Sequence, residues 1–270
     1  MGRGIVSPGR ALVFVLLASA MAGCSSDDGS SSGSPSETVS TTTTRAKRAS
    51  GWSPVAKPAN SGTADVSWFR SKSGQYVALA LPDRPAPFPA VVFYHGAAGL
   101  SSPSIDWMPN LARAGYAVVA GCWNPGDPGS VPCPAVTDTP AAEQAMYEFA
   151  RSVPGVDAKR IALMGISAGV DSVVIRRGTS VRAIVADSGF TPELPDLDAP
   201  ILVLGSRRDP LFTRIEAWAG RLQRAGETVE TQIFENGDHV VTRQADTGQT
   251  ATADIVRFLD THLKAAAERP

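Results

Sequence analysis

The stretch Ile161–Val170, IALMGISAGV, decides how the rest of the chain is read. Its first half is an apolar run of strand length, and its second half opens a helical pattern. Gly165, Ser167 and Gly169 fall at the junction in Gly-x-Ser-x-Gly spacing. A serine on so tight a strand-to-helix turn is held in a strained conformation, and only glycine-sized neighbours fit beside it. Its hydroxyl then stands clear above the end of a strand. A serine hydroxyl is a weak nucleophile until a base takes its proton. The question therefore passes to which residue supplies that base.

On either side of this junction, short apolar runs alternate with amphipathic ones. Strands are expected over 65–70, 76–81, 90–94, 117–120, 161–165, 183–187, 201–205 and 230–234. The inner ones (VVFY, AVVA, IALM, AIVA, ILVL) are continuously apolar, as in a parallel sheet covered by helices on both faces. Helices are expected over 105–114, 139–152, 167–177, 214–225 and 252–267. Thr139 would be the N-cap of the second and Pro140 its first helical residue. The fold class is α/β, a mostly parallel central sheet of about eight strands flanked by helices. One domain, residues 63–270, holds all of it. Only about a dozen residues separate Asp187 from the strand at Ile201, which leaves no room for a large lid.

Three histidines are present: His95, His239 and His262. His262 follows Phe258 and Leu259 by one helical turn and reads as the edge of a core face. His239 lies in the loop ENGDH after a strand, where sites gather in open α/β sheets. It is the candidate base. Asp209, in GSRRDP after the strand at 201–205, is the favoured acid to orient the imidazole. Asp187, ending the strand before it, stays open as the alternative. Asp238 adjoins the histidine and points the wrong way for this geometry.

The order Ser167, Asp209, His239, each at a strand end, resembles the α/β-hydrolase superfamily over about residues 65–267. Within it, VPGVDAKRIALMGISAGV resembles the segment leading into the nucleophile elbow of dienelactone hydrolase-like proteins and serine esterases. The resemblance implies that the turn Tyr94–Gly99 (YHGAAG) supplies one oxyanion-hole amide, from Ala97 or Gly96. The second would come from Ala168, next to the nucleophile. His95 would then hold the turn. Dienelactone hydrolases carry cysteine at the nucleophile position, and this chain has Ser167. The departure points to a serine hydrolase of carboxylic esters that needs no metal and no cofactor; a non-catalytic surface binding protein on the same scaffold, or hydrolysis of a lactone, amide or thioester, stays open as the alternative. Trp107, Met108, Trp123 and Phe190 are candidate walls of the site, each as readily a packing residue. The role of Asp171, one turn beyond Ser167, stays open.

The N-terminal region has a different character. Arg3 and Arg10 flank the start of an apolar stretch, ALVFVLLASA, of signal-peptide length. Met21-Ala22-Gly23-Cys24 resembles the lipobox of bacterial lipoproteins, with Met21 where Leu is usual. The resemblance implies that residues 1–23 are a signal peptide and that Cys24 carries the lipid. The protein would then be extracytoplasmic, anchored to the bacterial membrane. Residues 24–62 read as a disordered Ser/Thr-rich tether, with a reach of roughly 35 Å. The formal charge of −1 drops by two when Arg3 and Arg10 are removed. No nucleic-acid partner is expected from such a balance, and the domain is expected to be a monomer. Outside the cytoplasm the remaining cysteines, Cys122 and Cys133, are expected to form a disulfide.

Overall fold

The computed structural model describes residues 51–136, 138–174 and 181–264. The segment expected to be a signal peptide, Cys24 and most of the expected tether lie outside these residues. Nine strands form one sheet among the described residues: β1 (Trp52–Val55), β2 (Ser67–Ser71), β3 (Tyr76–Ala80), β4 (Phe88–Tyr94), β5 (Ala117–Gly121), β6 (Val156–Ile166), β7 (Ala183–Asp187), β8 (Ile201–Ser206) and β9 (Val229–Phe234). Their spatial order is β1-β2-β3-β5-β4-β6-β7-β8-β9. The first three strands run antiparallel to their neighbours, and the six from β5 to β9 run parallel.

Both faces of the parallel strands are buried, which is why they read as continuous apolar runs. In β4, Ala90, Val92 and Tyr94 face one core and Val91 and Phe93 the other. The first core is covered by α2 (Thr139–Ser152), α3 (Gly169–Val174) and α4 (Phe212–Arg224), through Met146, Val170 and Trp218. The second is covered by α1 (Ser102–Arg113) and α5 (Gly248–Leu259), through Ile105, Met108, Ile255 and Phe258. A 3₁₀ turn, Val241–Arg243, precedes α5, and a π-helical turn, Asp260–Lys264, follows it.

Several boundaries differ from the sequence reading, β6 beginning five residues early at Val156, and three of the differences have a clear physical cause. The tether reading of residues 24–62 overruns, because Trp52–Val55 is strand β1, paired antiparallel with β2. Trp52 sets its ring edge-on to Phe149 at 5.1 Å between centroids. Its neighbours Ser53 and Pro54 are exposed. Pro54 fits there because the strand is at the sheet edge, where a missing N–H costs no ladder bond. The N-cap of α2 is Asp138, not Thr139: its carboxylate accepts from the Ala141 amide at 3.0 Å. Helix α5 starts at Gly248, four residues before the expected Thr252, since its apolar stripe begins with Ala251.

Candidate functional site

The register brings five strand ends to one edge. Tyr94 pairs with Gly165, Ile166 with Asp187, Asp187 with Leu204, and Ser206 with Phe234. Everything that follows β4, β6, β7, β8 and β9 therefore emerges along the same rim, where ligands bind in open α/β sheets.

Ser167 sits on the bend between β6 and α3 with φ of +51°, a left-handed conformation that L-residues avoid. Its amide donates to Asp187 O at 2.9 Å, and its carbonyl accepts from Val170 N at 3.1 Å. The two glycines of the motif are required by contact. A Cβ on Gly165 would lie 2.2 Å from Gly169 O, and one on Gly169 would lie 2.3 Å from Tyr94 O. Gly189 performs the same service from the β7 side: its Cβ would lie 2.3 Å from Ser167 O. No local pattern marks Gly189, because the requirement comes from a contact 22 residues away in the chain.

His239 Nε2 lies 2.8 Å from Ser167 Oγ, and Nδ1 lies 2.9 Å from Asp209 Oδ2. A carboxylate only accepts, so Nδ1–H donates to Asp209. Nε2 is then the bare nitrogen, and it accepts the hydrogen bond from the Ser167 hydroxyl. Asp209 is 4% exposed, and its Oδ1 accepts from the Leu211 amide at 2.7 Å. That bond fixes the carboxylate at the start of the turn into α4. His239 is held from behind by Gln244, whose Nε2 donates to the His239 carbonyl at 2.9 Å.

The alternative acid, Asp187, is wholly buried and turned elsewhere. Oδ1 accepts from Ser188 Oγ and the Val241 amide, and Oδ2 from the Thr242 amide and hydroxyl. Burial raises the Asp187 pKa, against these hydrogen bonds. The residue ties the end of β7 to the turn after His239 and does not reach the imidazole. Asp238 is exposed. His262 packs edge-on against Phe258 at 4.6 Å, within the π turn.

Ala97 and Ala168 are exposed, the first next to Gly96 and the second next to Ser167 in the chain. Among the described residues, neither amide donates to a protein acceptor. Gly96 closes in from the other side, where a Cβ would lie 3.2 Å from Ser167 Cβ. The turn carrying Ala97 is braced by the loop that the Cys122–Cys133 disulfide closes. Asp127 N donates to Ala98 O at 3.0 Å, and Val131 N to Leu100 O at 2.8 Å. Gly126 packs so closely on Gly99 that a Cβ on it would lie 2.4 Å from Gly99 Cα. Trp123 stacks on His95 at 5.2 Å and donates its indole N–H to the His95 carbonyl. Trp123 is thus a support of the turn. Trp107 and Met108 are core residues of α1, and Trp107 Nε1 donates to Thr252 Oγ1. Of the four candidate walls, only Phe190 stays half-exposed, under the Arg214 guanidinium. Asp171 is exposed on α3.

His95 is fully buried, and its Nδ1–H donates to Gly96 O at 2.8 Å. Burial holds the imidazole down at about 4, from an ordinary 6.5, against the raising effect of the Gly96 bond. The unfolded chain therefore takes up this proton first as pH falls. The stability linked to it is complete above 6.5 and is lost as pH falls through about 4. The loss amounts to roughly 3 kcal/mol. Urea unfolding at pH 7 and at pH 4 measures it. A His95→Asn variant, which keeps a donor for Gly96 O, is expected to lack that share of the acid destabilisation.

No three His, Cys, Asp or Glu side chains among the described residues gather in a way that could hold a metal ion. The chain matches no protein-family model and no curated protein. Solved structures do resemble it. An esterase of Pyrobaculum calidifontis superposes with a TM-score of 0.59 at 17% identity, over 81% of this chain and 87% of its own. A dienelactone hydrolase-like promiscuous phosphotriesterase from metagenomic libraries gives 0.57 at 17% identity, over 78% and 99%. A thermophilic esterase from the Planctomycetes species Thermogutta terrifontis gives 0.54 at 18% identity, over 70% and 88%. The chain has the α/β-hydrolase fold. In this α/β-hydrolase fold, no helix intervenes between β7 and β8 among the described residues, so the rim above Ser167 carries no large lid.

Proposed function

We propose that the protein is a serine hydrolase that cleaves carboxylic esters by two-step acyl transfer. The observation that carries this reading is His239, bridging Ser167 Oγ at 2.8 Å and Asp209 at 2.9 Å. His239 Nε2 takes the Ser167 proton as Oγ bonds to the ester carbonyl carbon. The charge on the carbonyl oxygen falls to the free amides of Ala97 and Ala168, each worth roughly 10²–10³ in rate. The ester C–O bond then breaks, and the alcohol leaves with the proton from His239. Water gives a proton to His239 and attacks the acyl carbon. The acid departs as Ser167 Oγ takes the proton back. Asp209 holds the imidazole tautomer and stabilises the imidazolium in both steps.

The open rim suits short acyl groups, or esters on bulky molecules that present the bond to the surface, better than long chains that need a buried tunnel. Expected turnover is therefore greatest for p-nitrophenyl acetate and butyrate and falls away at dodecanoate. Rates no higher than buffer across the series would overturn the proposal.

The lipobox-like Met21–Cys24 supports a second part of the reading, an enzyme held on the outer side of the cell membrane by a lipid on Cys24. A Cys24→Ser variant is expected to leave the membrane fraction. Its retention there would contradict the anchor.

A further inference from the structure

A cavity of about 480 Å³ opens between α1, the 3₁₀ turn Val241–Arg243 and the start of α5. Asn110, Arg113, Thr242, Arg243, Gln244 and Thr252 are among its lining residues. Ser167, Asp209 and His239 do not line it; it lies behind the turn after His239, and Gln244 is common to both.

Its charge is one-sided. Arg243 is largely buried, and burial works against its charge. Its side-chain partner among the described residues is neutral: Nη2 donates to Ser104 Oγ. Among the described residues, no carboxylate lies within salt-bridge distance of it. Asp187 is the acid whose field acts on Arg243. Both its oxygens are already engaged by Ser188, Val241 and Thr242, and it makes no ion pair with Arg243. Arg113 likewise has a neutral partner, Asn110 Oδ1, and no ion pair among the described residues.

A largely buried guanidinium with no direct ion pair is costly, and the cost is relieved when an anion arrives. Two guanidiniums lining one cavity match the geometry of carboxylate and phosphate oxygens, which accept paired N–H bonds. The start of α5 adds positive potential of the same sign. The volume exceeds that of a bare inorganic ion and falls in the usual range for small-molecule sites. Asn110, Gln244, Gln249 and Thr252 offer hydrogen bonds to a polar body.

We propose that this cavity binds a small polar organic anion, its carboxylate or phosphate head held between Arg113 and Arg243. The test is calorimetric titration of the full protein with glycerol 3-phosphate, citrate and inorganic phosphate, at ionic strength matched with chloride. Saturable binding of at least one organic anion is expected. The ranking of glycerol 3-phosphate against citrate tells phosphate from carboxylate. Arg243→Gln and Arg113→Gln are each expected to weaken binding by roughly 10- to 100-fold. Arg113 is exposed, so its variant keeps the test valid if Arg243→Gln fails to fold. No saturable heat with any of the three anions would overturn the proposal. Affinities unchanged by Arg113→Gln would overturn it equally.

Discussion

Alanine in place of Ser167 is expected to lower kcat/KM for p-nitrophenyl acetate by roughly 10⁶, and alanine in place of His239 by about as much. The two losses are alike because the groups act as one unit. Without the hydroxyl there is nothing to acylate, and without the imidazole the hydroxyl at 2.8 Å keeps its proton. Combining the two changes should therefore cost little more than either alone. Asp209→Asn is expected to cost about 10⁴. The amide presents an N–H where the carboxylate accepts, and this favours the imidazole tautomer with its proton on the serine side. Steady-state kinetics on the wild type and these four variants, with folding checked by circular dichroism, decides the matter. An Asp187→Asn variant separates the two acids. Its carboxylate supports the turn after His239 and makes no bond to the imidazole, so the kcat of this variant should stay well above that of Asp209→Asn. Equal losses at the two positions would contradict this assignment.

Valine in place of Gly169 is the second large effect, and it falls on folding before chemistry. A Cβ there would lie 2.3 Å from Tyr94 O and 2.7 Å from His95 O. Both are backbone atoms at the end of a buried central strand, so no flexible side chain can swing away. Overpacking in a well-packed interior costs typically 1–3 kcal/mol, and a collision with strand backbone belongs at or above the top of that range. The expected result is a loss of about 3 kcal/mol or more in urea unfolding, with little soluble protein at 37 °C. What folds should have lost turnover, because the turn that carries Ser167 is the part that must shift. A variant of wild-type stability would show that the bend is not packed against β4 as described.

The parallel core is legible because its strands are buried on both faces, so VVFY or ILVL needs no partner to be recognised. β1 is not legible in the same way. Only Trp52 and Val55 of that strand are half-buried, and a single aromatic in a polar stretch has no period. The placement of Asp209 and Asp187 shows a further limit. Both end or follow a parallel strand, and chain order alone leaves either within reach of His239. The difference lies in the turn Val241–Thr242, whose amides occupy the Asp187 carboxylate. That contact spans more than fifty residues. Gly189, the brace of Asp127 on Ala98, and the cavity shared by Arg113 and Arg243 are of the same kind. Each depends on residues far apart in sequence, brought together only by the register of the sheet and the packing of its helices.

The proposed chemistry needs one activated serine, and covalent labelling addresses that serine without a choice of substrate. A fluorophosphonate probe reacts with a serine whose proton is taken by a base. Incubation of the purified protein, followed by intact mass and peptide mapping, should find a single phosphonyl adduct on Ser167. The adduct should be absent from Ser167→Ala and formed far more slowly by His239→Ala. A folded wild-type protein that takes up no probe, or carries it on another residue, would contradict the account.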